Sequence, residues 1–380
     1  MKKIAARIYR HIINPPSDSE LKRAWQQSDL QLPVIWMLGK TGAGKSSIVQ
    51  QLTGHSRAEI GNGFMPCTRD SSFFDYPQEQ PILRFLDTRG LGDVDYEADE
   101  DLDLLSHSSH ALLVVTRILD GEQSAVLAAL KKIRKQAGHI GHSAIIAVHT
   151  GGDEPGDEHD RHRAVQTQQL AIEAAWGKAV DSCITGFGIS SDGQDLNDLG
   201  ADQLRELIAK KVPELRLWLQ KSAHHDAEQS NFERLKTEVL WYAGTAAASD
   251  AIPVVGLLSV PAIQGKMLHS LAQKYGLNWN TRNFSEFSTA LGTGFALRYA
   301  TSLGARQLAK LLPGFGQLAG SAFAVTVSYA STYALGRAAC SYLYHKKTAT
   351  AVGDGALQSV YRDAMVQGRQ VGKEAIRKVK

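Results

Sequence analysis

Cysteine is scarce in this chain, and what there is cannot form a framework. Only three occur in 380 residues, Cys67, Cys183 and Cys340. They are too far apart to read as a disulfide scaffold or a metal knuckle, which points to a reducing compartment. The first residues, Met1 to Ile13, lack the apolar core of a signal peptide, so a cytoplasmic location is expected. An excess of one charge is also missing. Lys and Arg number 42 against 39 Asp and Glu, for a net charge of +3, and no specific nucleic-acid partner is expected from so even a balance. There is no repeat of fixed period, no low-complexity block, no recognisable Ser-His-Asp arrangement and no paired-carboxylate pattern. His107 with His110, and His159 with His162, have helical spacing. Neither pair has a third ligand nearby, and both read as ordinary surface or core histidines.

What the chain does have is Gly39-Lys40-Thr41-Gly42-Ala43-Gly44-Lys45-Ser46-Ser47. This is the spacing G-x-x-x-x-G-K-S, set between an apolar run, Pro33 to Leu38, and a helical stretch, Ser46 to Leu52. The glycines let the backbone curl so that successive N–H groups point inward, and the following helix adds its positive end. Lys45 is expected to reach the β- and γ-phosphates and Ser46 to bind the bridging Mg²⁺. A nucleoside triphosphate is the expected ligand.

The chain order fits such a site. After the loop come a Gly/Pro-rich polar stretch from Gly54 to Asp70 and two strands, Ser71 to Tyr76 and Ile82 to Leu86, joined by a turn. The second strand runs into Asp87-Thr88-Arg89-Gly90, the expected Mg²⁺ and γ-phosphate sensor. Apolar runs at 111–115 and 144–148 alternate with helical stretches at 123–136 and about 158–176. A strand near 182–189 and a helix at 201–211 follow. This alternation predicts an α/β fold: a doubly wound, mostly parallel sheet of the P-loop NTPase kind, with its ligand at the strands' carboxyl ends.

The expected organisation is a basic helical segment at 1–31, the nucleotide domain at 32–220, a linker helix at 221–240, an all-α hydrophobic domain at 241–345 and a basic tail at 346–380. From Trp241 onward small and apolar residues dominate, and Pro253, Pro261 and Pro313 are expected to break the region into helices and turns. Gly316, Gly320, Ala324, Ser328, Thr332 and Gly336 recur every fourth position, as do Gly292, Ala296, Ala300 and Gly304. Each set predicts a smooth ridge on one helix face, suited to close helix packing. The uncharged run from Leu311 to Leu335, about 25 residues, meets the length criterion for a membrane span, while Arg298 and Asp250 favour a soluble bundle. Both readings stand, and the basic tail suits an anionic membrane surface.

From about Pro33 to Val212 the chain resembles the translation-factor-related GTPases of the Era and septin kind, and its GKTGAGKSS loop is most similar to the GIMAP and Toc branch. The resemblance implies that Thr68 closes on Mg²⁺ as a switch threonine. It implies that Asp87 and Gly90 form the DxxG motif, one holding Mg²⁺ and the other touching the γ-phosphate. Thr150-Gly151-Gly152-Asp153 stands where the family has NKxD, so Asp153 is expected to pair with a guanine edge, and Ser190 falls in the short guanine loop. The implied catalytic set is Lys45, Thr68 and Gly90; the implied metal set is Ser46, Thr68 and Asp87. The nucleotide is expected to touch residues 39 to 47, Thr150, Asp153 and Ser190. Leu91 stands where a water-orienting Gln would be, which implies slow hydrolysis of GTP to GDP, helped by a partner or by a homodimer formed across the nucleotide face. The region from about Ala243 to Tyr344 resembles the helical domain of YcjF-like proteins, which implies membrane proximity. A GTP-bound oligomerising scaffold and a ribosome-associated GTPase are the alternatives.

Overall fold

The structure, a computed structural model, describes residues 9–16, 32–54, 65–66, 71–88, 110–136, 145–154, 157–186, 199–220, 227–251, 256–292, 319–353 and 355–379. The chain divides into two compact units, Leu32–Gln220 and Met1–Gln31 with Lys221–Lys380.

The first unit is built on a seven-stranded sheet. Its strands are β1 (Val34–Leu38), β2 (Met65–Pro66), β3 (Ser71–Tyr76), β4 (Leu83–Thr88), β5 (His110–Arg117), β6 (Ile145–Thr150) and β7 (Asp181–Thr185), in the spatial order β2-β3-β4-β1-β5-β6-β7. The pairs β1–β4, β1–β5, β5–β6 and β6–β7 are parallel, and β2–β3 and β3–β4 are antiparallel. The fold is therefore the α/β, mostly parallel sheet that the alternating pattern predicts. The short β2 is an addition: it pairs Met65 and Pro66 with β3 inside a stretch that reads from sequence only as a loop.

Every residue of β1 is buried because helices cover both faces of the sheet. On one face Ile35, Met37, Phe85, Leu113, Val115 and Val148 pack against α1 (Lys45–Thr53) and α4 (Ala201–Lys211) through Ile48, Val49, Leu204 and Ile208. On the other, Trp36, Leu38, Leu112, Val114 and Ala147 meet α2 (Ser124–Gln136) and α3 (Glu158–Trp176) through Leu130, Ile133, Ile172 and Trp176. The period-2 alternation of strand side chains divides one apolar run between the two cores. The unit closes with a 3₁₀ turn, Pro213–Leu215, and α5 (Arg216–Leu219).

The second unit is helical: α6 (Ala227–Ala251), α7 (Gly256–Lys274), α8 (Thr281–Ala290), α9 (Ala319–Thr348) and α10 (Ala356–Val379). The change of composition at Trp241 falls inside α6, so residues 227–240 and the start of the apolar region share one continuous helix. The small-residue ridge from Ala324 to Gly336 is a packing surface. Ser328 donates to Asp250 Oδ2 at 2.5 Å, Gln264 donates to Thr332 Oγ1 at 2.8 Å, and a Cβ on Gly336 would lie 2.5 Å from Val239 Cγ1. The second expected ridge differs. Gly292 follows the end of α8 with a left-handed φ of 105°, and its other members lie outside the described residues. Pro261 does not break the chain either. It sits inside α7, where it removes one backbone donor while buried Val260, Ala262 and Ile263 carry the helix through. Pro253, Pro313 and residues 311–318 lie outside the described residues. Among the described residues no helix is long and apolar enough to cross a membrane. From the N-terminal segment, residues 9–13 are helical; Ile12 is buried, and the Ile13 carbonyl lies 2.7 Å from His269 Nε2.

Candidate nucleotide site

The glycine-rich loop leaves the carboxyl end of β1 and enters α1 directly. Gly42 and Gly44 hold φ of 81° and 96°, a left-handed conformation that a side chain would strain. The helix has no side-chain cap at its N-terminus, and the first turn of such a helix is where N–H groups and the positive end of the dipole meet an anion. Lys45 is buried and folds back over the loop. Its Nζ donates to the carbonyls of Gly39 (2.6 Å) and Lys40 (3.0 Å) and lies 3.5 Å from Asp87 Oδ1 at the end of β4. Those distances bring together the lysine and the aspartate expected at the phosphates, 42 positions apart in sequence. Ser46 is exposed beside them at the first turn of α1, and Ser47 is buried. An exposed hydroxyl and a carboxylate are hard oxygen donors, a set that suits Mg²⁺.

Lys40, within the loop expected to touch the nucleotide, also has side-chain partners outside the loop. Its side chain points away, to Asp120 Oδ2 (2.7 Å) and the Glu122 carbonyl (2.9 Å) in the loop after β5. The bond from Lys40 holds the Asp120 carboxyl below its ordinary range.

Thr150, expected near the base, is buried at the end of β6. Its hydroxyl donates to the Ala43 carbonyl at 2.7 Å, and its methyl is so close to Gly44 that a Cβ there would stand 3.0 Å away. It thus ties β6 to the phosphate loop. Asp153 follows in the turn after β6, against Gly186 at the end of β7, where a Cβ would lie 2.7 Å from Asp153 Oδ1. Thr68, Gly90 and Ser190, with Leu91, lie outside the described residues.

A buried polar cluster beneath this edge has no counterpart in the sequence reading. His149 Nδ1 lies 3.0 Å from Thr116 Oγ1 and 3.3 Å from Gln168 Oε1, and Nε2 lies 3.2 Å from Gln169 Oε1. Burial pushes the imidazole pKa down. The neutral ring carries a single N–H to share among these oxygens. The Gln168 amide donates to the carbonyls of Arg117, Ile118 and Asp120 at 3.0, 3.3 and 3.1 Å. This cluster fixes the loop that holds Lys40. The partners come from separate elements, so no local spacing could have shown them. Among the described residues no group of three His, Cys, Asp or Glu side chains could hold a metal.

Residues 34–150 match the profile of the family described as 50S ribosome-binding GTPase. That stretch is a P-loop GTPase domain. The match stops at Thr150, before Asp153. Among solved structures the chain is similar to a bacterial selenocysteine-specific elongation factor, at 20% identity and a TM-score of 0.33 over 48% of this chain and 29% of that one. It is also similar to a glycine-to-proline variant of SsGBP, at 15% identity and a TM-score of 0.27 over 55% of this chain and 69% of that one. The chain thus spans less than a third of the elongation factor. No curated protein matches it.

Proposed function

We propose that the GTPase domain binds GTP and GDP with Mg²⁺ and hydrolyses GTP slowly to GDP and phosphate, acting as a nucleotide-controlled switch. The observation that carries this reading is the 3.5 Å approach of Lys45 Nζ to Asp87 Oδ1 across the glycine loop. It joins a phosphate-binding cation to a carboxylate suited to Mg²⁺ at one sheet edge. Mg²⁺, when bound, neutralises charge on the β- and γ-phosphates. Ser46 and Asp87 would hold it, with Thr68. Lys45 would exchange its two carbonyl acceptors for phosphate oxygens, and the first amides of α1 would add donors. Asp153 would accept both N–H groups of the guanine edge, which adenine does not present. Gly90 would sense the γ-phosphate. Leu91 cannot orient water, which keeps turnover slow until a partner or a second copy of the chain across the nucleotide face assists.

Calorimetric titration of the full chain with GTP, GDP and ATP in Mg²⁺, beside single-turnover hydrolysis, tests this. GTP and GDP should bind more tightly than ATP, and Lys45→Ala should lose most affinity for all three. Asp153→Asn should weaken GTP and strengthen xanthosine triphosphate, whose 2-oxo group matches the new amide. Equal binding of ATP and GTP would refute the guanine assignment, and fast, concentration-independent turnover would refute the need for assistance.

We also propose that the protein works on the cytoplasmic side of an anionic membrane, touching it peripherally. The support is the basic tail, with Arg362, Arg369, Lys373, Arg377, Lys378 and Lys380. The family's description favours a second reading, association with the large ribosomal subunit, which salt-resistant cosedimentation with ribosomes would establish.

A further inference from the structure

The turn that carries Asp153 is tied down on every side, yet among the described residues nothing claims the Asp153 carboxylate. Two guanidinium groups serve this turn, and both are engaged elsewhere. Arg117, at the end of β5, donates from Nε to Glu154 Oε1 at 2.8 Å, and its Nη2 stands 2.7 Å from the same oxygen. Arg161, on α3, donates from Nη1 to the carbonyls of Gly152 (3.0 Å) and Glu154 (2.9 Å). The Glu154 amide donates back to the Gly151 carbonyl at 3.1 Å, and the Gly152 amide donates to Thr185 at 3.0 Å. Gly151 has a left-handed φ of 82°, and a Cβ there would stand 2.9 Å from Glu154 Oε1. The space beside Gly151 is therefore taken by the Glu154 carboxylate.

We propose that Glu154, Arg117 and Arg161 are positioning residues that hold the base-recognition turn and keep Asp153 un-neutralised for the guanine edge. The inference rests on the reading of Asp153 as the base acceptor. An ionised carboxylate is an acceptor only, and it can take two N–H donors side by side. A guanidinium makes a stronger, bidentate pair with the same carboxylate, so an unengaged arginine in this turn would compete with the base. Glu154 removes that competitor by binding Arg117. Arg161 fixes the backbone by taking the carbonyls on both sides of Asp153. No side chain at Gly151 can contribute.

The test is the ratio of GDP to ADP affinity, measured by titration of the full chain in Mg²⁺. Both nucleotides use the glycine loop, so a general loss of structure lowers both affinities and leaves the ratio unchanged. Glu154→Gln and Arg161→Ala should each lower the ratio about tenfold, the scale of one hydrogen bond to a charged group, with ADP binding within about twofold of the unaltered protein. Adding Arg117→Ala to Glu154→Gln should recover part of the ratio, because no arginine is then released onto Asp153. Arg163→Ala, on the same helix but with its side chain bonded to His159, should change nothing. An unaltered ratio in Glu154→Gln, a parallel loss of GDP and ADP in Arg161→Ala, or no recovery in the double variant would each overturn the proposal. A parent protein with no preference for GDP over ADP would instead overturn the reading of Asp153, and would do so before any variant is made.

Discussion

At the scale of single residues, Thr150 and His149 show how neighbours in sequence take different duties. The Thr150 hydroxyl bonds the buried Ala43 carbonyl. Thr150→Val keeps the shape but leaves that carbonyl without its donor, at a cost of about 1–3 kcal/mol. Denaturant unfolding should register the loss, and GDP and ADP affinities should fall together, because the change acts on the phosphate loop rather than the base. His149 is held neutral by burial, its folded pKa lying below the ordinary value of 6.5. The unfolded chain therefore binds more protons below that value. The stability this residue contributes is complete above pH 6.5 and is lost as pH falls from there towards the folded pKa. The melting temperature should drop over that interval in the native protein, and His149→Gln should flatten the dependence. The bond from Thr150 to the Ala43 carbonyl was not legible in the sequence, since the partner is 107 positions away. His149 gave no signal at all: a histidine within a strand reads as core until Thr116, Gln168 and Gln169 are seen around it.

At the scale of elements, strands and helices that are apolar in a regular period were readable, and those shaped by tertiary contact were not. α3 and α4 have the expected bounds because a cap such as Asp157, which accepts from the His159 amide at 2.7 Å, is local chemistry. β2 is two residues long and exists only through its pairing with β3. Pro261 misleads for a related reason: local propensity argues for a break, while burial of its neighbours outweighs one missing backbone bond. The ridge on α9 was legible as periodicity, but only the fold shows that α6 and α7 fill it. A side chain at Gly336 would meet Val239 Cγ1 at 2.5 Å and the Met267 sulfur at 3.0 Å. Gly336→Leu should therefore cost about 1–3 kcal/mol through overpacking. Thermal unfolding should show the loss, while Gly353→Leu, at a position with room for a side chain, should be tolerated.

At the scale of the whole molecule, the two units have different chemistry. One carries the nucleotide edge and the other a helical core laced with buried hydroxyls and Asp250. Among the described residues no helix is both long and apolar enough to cross a membrane, and the membrane contact we propose is electrostatic. Flotation with vesicles containing anionic lipid should occur at low salt and be lost near 0.5 M, where screening shortens the reach of charge to about 4 Å; retention at high salt would argue for insertion. By itself the sequence determined the phosphate loop, the alternation that makes a parallel sheet, and the candidate residues at the sheet's carboxyl edge. All of these rest on short-range spacing and on an apolar period that acts within one element. Tertiary structure alone decided that Lys40 turns to Asp120, that the Thr150 hydroxyl bonds the Ala43 carbonyl, and that Arg117 and Arg161 bond Glu154 and the backbone on either side of Asp153. Each of those choices depends on which distant donor or acceptor reaches a side chain first, and only the folded chain sets that distance.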